Sequence, residues 1–168
     1  ALFLLSDEKE AMTDELSGQR VLVTGGAGFI GSALVGRLVN RGNEVTVLDN
    51  FFTGSLANLR DALKWTVGSE KLMDGEINLV GGDILQVDFG NLLSQNDIDY
   101  IFHLAAEPFI PNCYDEPGKF FSINANGTLR LLLAAAETDV ERVVLYSSSE
   151  VYGTAQEVPM DETHRVFP

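Results

Sequence analysis

Short apolar runs alternate along this chain with longer stretches whose apolar residues recur every three or four positions. The runs predict strands at 20–24, 44–48, about 77–81, 99–104 and 142–147. The helical spacing predicts helices at 29–41, about 55–65, about 88–95 (short) and about 117–137 (long), with an irregular stretch through Gly75. Strands that alternate with helices imply an α/β fold, a doubly wound parallel sheet with helices on both faces. Ligands of such sheets bind beyond the carboxyl ends of the strands.

The first strand runs directly into Thr24-Gly25-Gly26-Ala27-Gly28-Phe29-Ile30-Gly31-Ser32. A strand, a glycine-rich turn and an amphipathic helix in this order cradle a pyrophosphate, which makes the sheet Rossmann-like. Gly25 permits a sharp turn, Gly28 lets backbone approach the phosphates, and Gly31 lets the helix pack close to the strand. The free N–H groups at the helix start then face the anion. Asp49 follows the second strand, 18 residues past Gly31, near the spacing of about 20 expected of an acid on the adenosine ribose. A carboxylate there accepts ribose hydroxyls and repels a 2′-phosphate, so the expected cofactor is NAD rather than NADP; the bland alternative is a turn residue. Asp83 either accepts the adenine amino group, with Ile84 on the ring, or is an ordinary turn residue. His103 reads as a packed strand residue, and the small residues of Leu104-Ala105-Ala106 let the backbone lie flat against the nicotinamide ribose. Asn124, in an otherwise apolar helix, needs a partner and is expected to brace the neighbouring strand or position reacting groups.

Composition narrows the class. The chain has 168 residues, 45% of them apolar, enough for one domain with a core. No apolar run reaches the roughly 20 residues of a membrane span. A net charge of −14 argues against nucleic acid and anionic membranes as partners. Cys113 is the one cysteine, which excludes an internal disulfide and fits a reducing cytoplasm; it reads as a small packed residue. His103 and His164 are the only histidines and are not clustered, so no metal site is expected. Residues 1–17 stand apart: an apolar start without the basic flank of a signal peptide, then an acidic stretch. They read as a leader or a processing or cloning remnant ahead of a dinucleotide-binding domain at 18–168.

The glycine loop, Asp49-Asn50, Gly82-Asp83-Ile84, His103-Leu104-Ala105-Ala106, Asn124 with Gly127-Thr128, and Ser147-Ser148-Ser149-Glu150-Val151-Tyr152-Gly153 occur in that order. Together they resemble the extended short-chain dehydrogenase/reductases, and among them the nucleotide-sugar epimerases, 4,6-dehydratases and decarboxylases. The resemblance covers about residues 19–168. It implies tightly held NAD, with Gly25, Gly28, Phe29, Ile30 and Gly31 along the pyrophosphate and Asp49 and Asn50 at the ribose. Thr53 and Gly54 would lie nearby, Asp83 and Ile84 at adenine, and Leu104, Ala105 and Ala106 beside the nicotinamide. Ser147 and Ser148 would lie at the reaction centre, Ser148 hydrogen-bonding the sugar oxygen that is oxidised.

The resemblance further implies a nucleotide-sugar substrate, transient oxidation at C4, a substrate domain and a homodimer. Glu150 is either a base on a carbon next to the new ketone or a solvated loop residue. The Ser-Glu-Val-Tyr-Gly ending is more similar to the dehydratases and sugar-acid decarboxylases than to the simple 4-epimerases; the segment from Asp49 to Gly54 is similar to decarboxylases, and Tyr152 to Pro159 to bacterial aminosugar 4,6-dehydratases. The family's Tyr-x-x-x-Lys is absent: four positions after Tyr100, Tyr114, Tyr146 and Tyr152 come Leu104, Gly118, Glu150 and Gln156. The expectation is therefore the amino-terminal part of an epimerase or dehydratase, inactive as this chain alone. Its long helix would leave Phe120, Phe121, Leu131, Leu132 and Leu133 as an exposed apolar patch. A decarboxylase, a non-catalytic NAD-binding module and a reductase of free carbonyl compounds are the alternatives.

Overall fold

The computed structural model describes residues 16–60 and 76–167. In chain order these contain β1 (Arg20–Thr24), α1 (Phe29–Asn40), β2 (Glu44–Asp49), β3 (Glu76–Gly81), α2 (Phe89–Gln95), β4 (Tyr100–His103), α3 (Asn112–Asp115), α4 (Pro117–Phe121), α5 (Thr128–Ala136) and β5 (Arg142–Leu145). The strands form one sheet in the order β3-β2-β1-β4-β5, every pair parallel. The chain thus winds outward from β1 in one direction through β3, then returns to pair β4 on its other side. That reversal opens a crevice above the carboxyl ends of β1 and β4.

Strand periodicity sorts side chains onto two faces. Val21, Val23, Val45 and Val47 meet Val35, Leu38 and Val39 of α1. Leu22, Leu48 and Ile101 meet Phe89, Leu92 and Leu93 of α2 and Leu131 and Ala135 of α5. Because both faces are covered, the central strands are continuous apolar runs rather than alternating ones. Asn43 is buried yet satisfied: it accepts from the Gln19 amide and donates to the Leu16 and Leu38 carbonyls, tying the end of α1 to the entry of β1.

Three element expectations change. The helix at 55–65 is, within the described residues, a single 3-10 turn, Leu56–Leu59, capped by Ser55; residues 61–65 lie outside the described ones. The helix at 117–137 is interrupted: α4 passes into a wide π-helical turn, Ser122–Gly127, before α5. Both strands of the β4–β5 pair stop early, at His103 and Leu145. The expected apolar patch is also corrected, since Leu131 is fully buried in the sheet-facing core, while Phe121, Leu129, Leu132 and Leu133 face outward. Among the described residues no helix is long and apolar enough to cross a membrane.

Candidate cofactor and reaction site

Every candidate residue lies at or just beyond the carboxyl end of a strand or on the helical elements beside them. The glycine loop leaves β1 with Gly25 at φ +69°, a conformation costly for other residues. A Cβ on Gly25 would also lie 2.8 Å from the Ala105 amide nitrogen, so the loop presses against the segment after β4. A Cβ on Gly31 would collide with the Gly25 carbonyl oxygen, which keeps α1 tight on the loop. Above Gly28 the space is open apart from the Gly25 oxygen at 3.2 Å. The first turn of α1 has neither an acidic residue nor a capping side chain, so its amides are left for an outside acceptor. Phe29 and Ile30 are exposed beside them. A pyrophosphate fits this cradle by shape and by charge.

Asp49 sits where the loop and the second strand meet. One carboxylate oxygen accepts the Ala27 amide at 2.9 Å and the other accepts the Phe51 amide at 2.8 Å. The residue is 8% exposed, and a carboxylate holding two amides retains lone pairs for hydroxyl donors. Gly54 packs onto it, since a Cβ there would lie 2.8 Å from Asp49 Oδ1. Ser55 and Asn58 anchor the loop by donating to the Ala27 carbonyl. Thr53 is exposed at the rim. Asn50 donates to Asp83 at 3.2 Å, linking the ends of β2 and β3. Asp83 accepts the Leu85 amide, the local turn of the bland reading. The Ile84 side chain is turned into the core rather than outward: it is 6% exposed, and Gly127 has no room for a Cβ beside its Cδ1.

Beyond β4, the segment Leu104–Ala106 crosses beside the loop. Asn124, carried by the wide turn, grips the next residue twice: its Oδ1 accepts the Glu107 amide at 2.8 Å and its Nδ2 donates to the Glu107 carbonyl at 3.1 Å. The bracing expected of Asn124 is thus of the loop after the strand. His103 is buried between two hydroxyls, Thr24 at 2.6 Å from Nδ1 and Thr128 at 3.0 Å from Nε2. Loss of solvent pulls its pKa from 6.5 down to about 4, so the ring is neutral near pH 7. Thr24 and Thr128 were absent from the sequence-derived site. Their one signal was position, Thr24 at the strand end and Thr128 four residues after Asn124. Glu107, buried and also unforeseen, accepts the Phe109 amide.

β5 delivers the remaining candidates next to this segment, with the Tyr146 amide donating to the His103 carbonyl. Ser147, Ser148 and Glu150 are exposed. Ser148 Oγ accepts the Glu150 amide at 3.2 Å and caps a 3-10 turn, Ser149–Tyr152. The sheet edge therefore presents, in order, Asp83, Asn50 and Asp49, the glycine loop, Leu104–Ala106, and Ser147–Ser148. No group of three His, Cys, Asp or Glu suited to a metal occurs among the described residues.

Comparison with known proteins agrees with this fold. The family model described as GDP-mannose 4,6 dehydratase matches residues 22–168. UDP-glucuronic acid decarboxylase 1 of Danio rerio is 37% identical over 89% of this chain and 32% of its own length. A UDP-glucose 4-epimerase of Mycolicibacterium smegmatis is 39% identical over 89% of this chain and 45% of its own. The crystal structure of UDP-glucose 4-epimerase from Bifidobacterium longum in complex with NAD+ and UDP superposes with a TM-score of 0.75 at 28% identity, covering 89% of this chain and 43% of that one. The chain thus spans less than half the length of the relatives it matches. With a matched family model over nearly all of the dinucleotide-type domain, the chain belongs to the GDP-mannose 4,6 dehydratase family of extended short-chain dehydrogenase/reductases.

Proposed function

We propose that this chain is the NAD-binding part of a nucleotide-sugar epimerase or dehydratase that works by transient oxidation of the sugar at C4. The observation that carries the reading is the uncapped first turn of α1, opposite the Asp49 carboxylate, in the crevice between β1 and β4. When bound, NAD supplies a reversible hydride acceptor. Gly25, Gly28, Phe29, Ile30 and Gly31 hold the diphosphate by backbone amides and close packing. Asp49 and Asn50 take the ribose hydroxyls, with Thr53 and Gly54 at the rim, and Asp83 with the Ile84 backbone borders adenine. Leu104, Ala105 and Ala106, fixed through Asn124, form the wall on the nicotinamide side. Ser147 and Ser148 border the sugar, and the Ser148 hydroxyl orients the C4 oxygen. Glu150, exposed just beyond Ser148, is the second base.

A decarboxylase acting on a nucleotide-linked sugar acid is the second reading, favoured by the segment from Asp49 to Gly54 and the decarboxylase relative. The test uses the full-length protein. Calorimetry should detect NAD binding with preference over NADP, and Asp49→Ala should weaken it by about tenfold or more. Incubation with UDP-glucose and UDP-glucuronic acid, followed by NMR, separates a 4-epimer, a 4-keto-6-deoxy sugar and a sugar shortened by loss of carbon dioxide. Absence of NAD binding in the folded protein overturns the whole reading; a shortened sugar selects the second.

A further inference from the structure

A run of hydrogen bonds crosses the floor of the crevice, and its direction can be derived. The Ala105 amide donates to Thr24 Oγ1 at 3.2 Å, and Thr24 Oγ1 lies 2.6 Å from His103 Nδ1. His103 Nε2 lies 3.0 Å from Thr128 Oγ1, which donates to the Asn124 carbonyl at 2.8 Å. A carbonyl only accepts, so the single Thr128 hydroxyl proton is committed to Asn124. Thr128 Oγ1 must then accept from the ring, which places the imidazole proton on Nε2. The neutral ring therefore accepts at Nδ1, from the Thr24 hydroxyl. Thr24 in turn has a lone pair left for the Ala105 amide. The opposite tautomer would need the Thr128 proton twice, once for Nε2 and once for the carbonyl.

We infer that His103 is a positioning residue: held as the Nε2–H tautomer, it couples the strand end feeding the glycine loop, the Ala105 segment and the wide helical turn into one rigid floor beneath the cofactor and sugar. The tolerance is small, because Ala105 also abuts Gly25 with no room for a Cβ. Asn124 extends the same lock to Glu107. Hydrogen bonds in such a chain polarise one another, and a single tautomer leaves the loop one arrangement. The inference rests on reading the crevice as the dinucleotide site.

Nitrogen-15 correlation spectra of the His103 ring in the full-length protein at neutral pH read the tautomer directly. A proton on Nε2 with a bare Nδ1 is expected; a proton on Nδ1, or on both nitrogens, overturns the inference. Thr24→Val and Thr128→Val keep the side-chain shape and delete the hydroxyls. Calorimetric NAD affinity should fall about tenfold in each, with Thr24→Ser and Thr128→Ser within about threefold of wild type. The double valine variant should lose less than the product of the single losses. Folded valine variants that are merely less stable and bind NAD normally overturn the positioning role alone. Wild-type protein that takes up no NAD removes the dinucleotide reading and this role together. If the valine variants do not fold, the ring spectrum of the wild type decides.

Discussion

At His103 a titratable ring is held by hydroxyls, with no carboxylate to offset the loss of water. Its pKa in the folded chain, about 4, lies below the ordinary 6.5, so between these values the unfolded chain binds more protons. The stability it permits is complete above pH 6.5 and is lost as pH falls toward 4, by an amount on the order of 3 kcal/mol. Urea unfolding midpoints should decline through that window, and His103→Asn should flatten the decline. Asp99 acts at lower pH: its hydrogen bond from Arg20 holds its carboxyl below the ordinary 3.8, so its contribution is lost only beneath that value. The glycines and Asp49 were legible because a local spacing of strand, turn and helix carries their chemistry. Thr24 and Thr128 were not, because each acquires its partner from a residue 79 or 25 positions away.

Elements follow the apolar pattern until a tertiary contact overrides it. The stretch after Pro117 keeps helical spacing on both sides of Ser122–Gly127, so the pattern suggested one continuous rod. The chain widens there, with Asn124 turned to the Glu107 backbone and Gly127 under Ile84. π-turns of this kind collect at functional sites. A Cβ at Gly127 would lie 2.5 Å from Ile84 Cδ1, a contact that demands a shift of the buried Ile84 side chain or of the turn that carries Gly127. Gly127→Ala should therefore cost about 1–3 kcal/mol in denaturant unfolding despite its better helix propensity. Gly127→Ala combined with Ile84→Val should recover part of that loss, which separates crowding from a backbone effect. Within the described residues, Leu56–Leu59 is a 3-10 turn for a related reason: Ser55 and Asn58 are drawn to the Ala27 carbonyl, a contact the local pattern does not show.

At the scale of the molecule, α5 divides its leucines between two tasks. Leu131 and Ala135 close the sheet core, while Leu129, Leu132 and Leu133 face outward at i, i+3 and i+4. The homodimer that the family resemblance implies would cover this stripe. Sedimentation of the full-length protein should show a dimer, and Leu133→Glu should shift it to a folded monomer; an unchanged dimer would place the interface elsewhere. What the amino-acid order determined alone was the alternation of strands and helices, the phosphate-type loop and the acid at the end of the second strand. Those features are local, set by periods of two and 3.6 and by residues a few positions apart. Only the tertiary structure decided the widening of the helix, the inward turn of Ile84 and Leu131, and the proton arrangement around His103. Each of these depends on which distant backbone or side chain arrives beside it, and a linear pattern carries no record of that meeting.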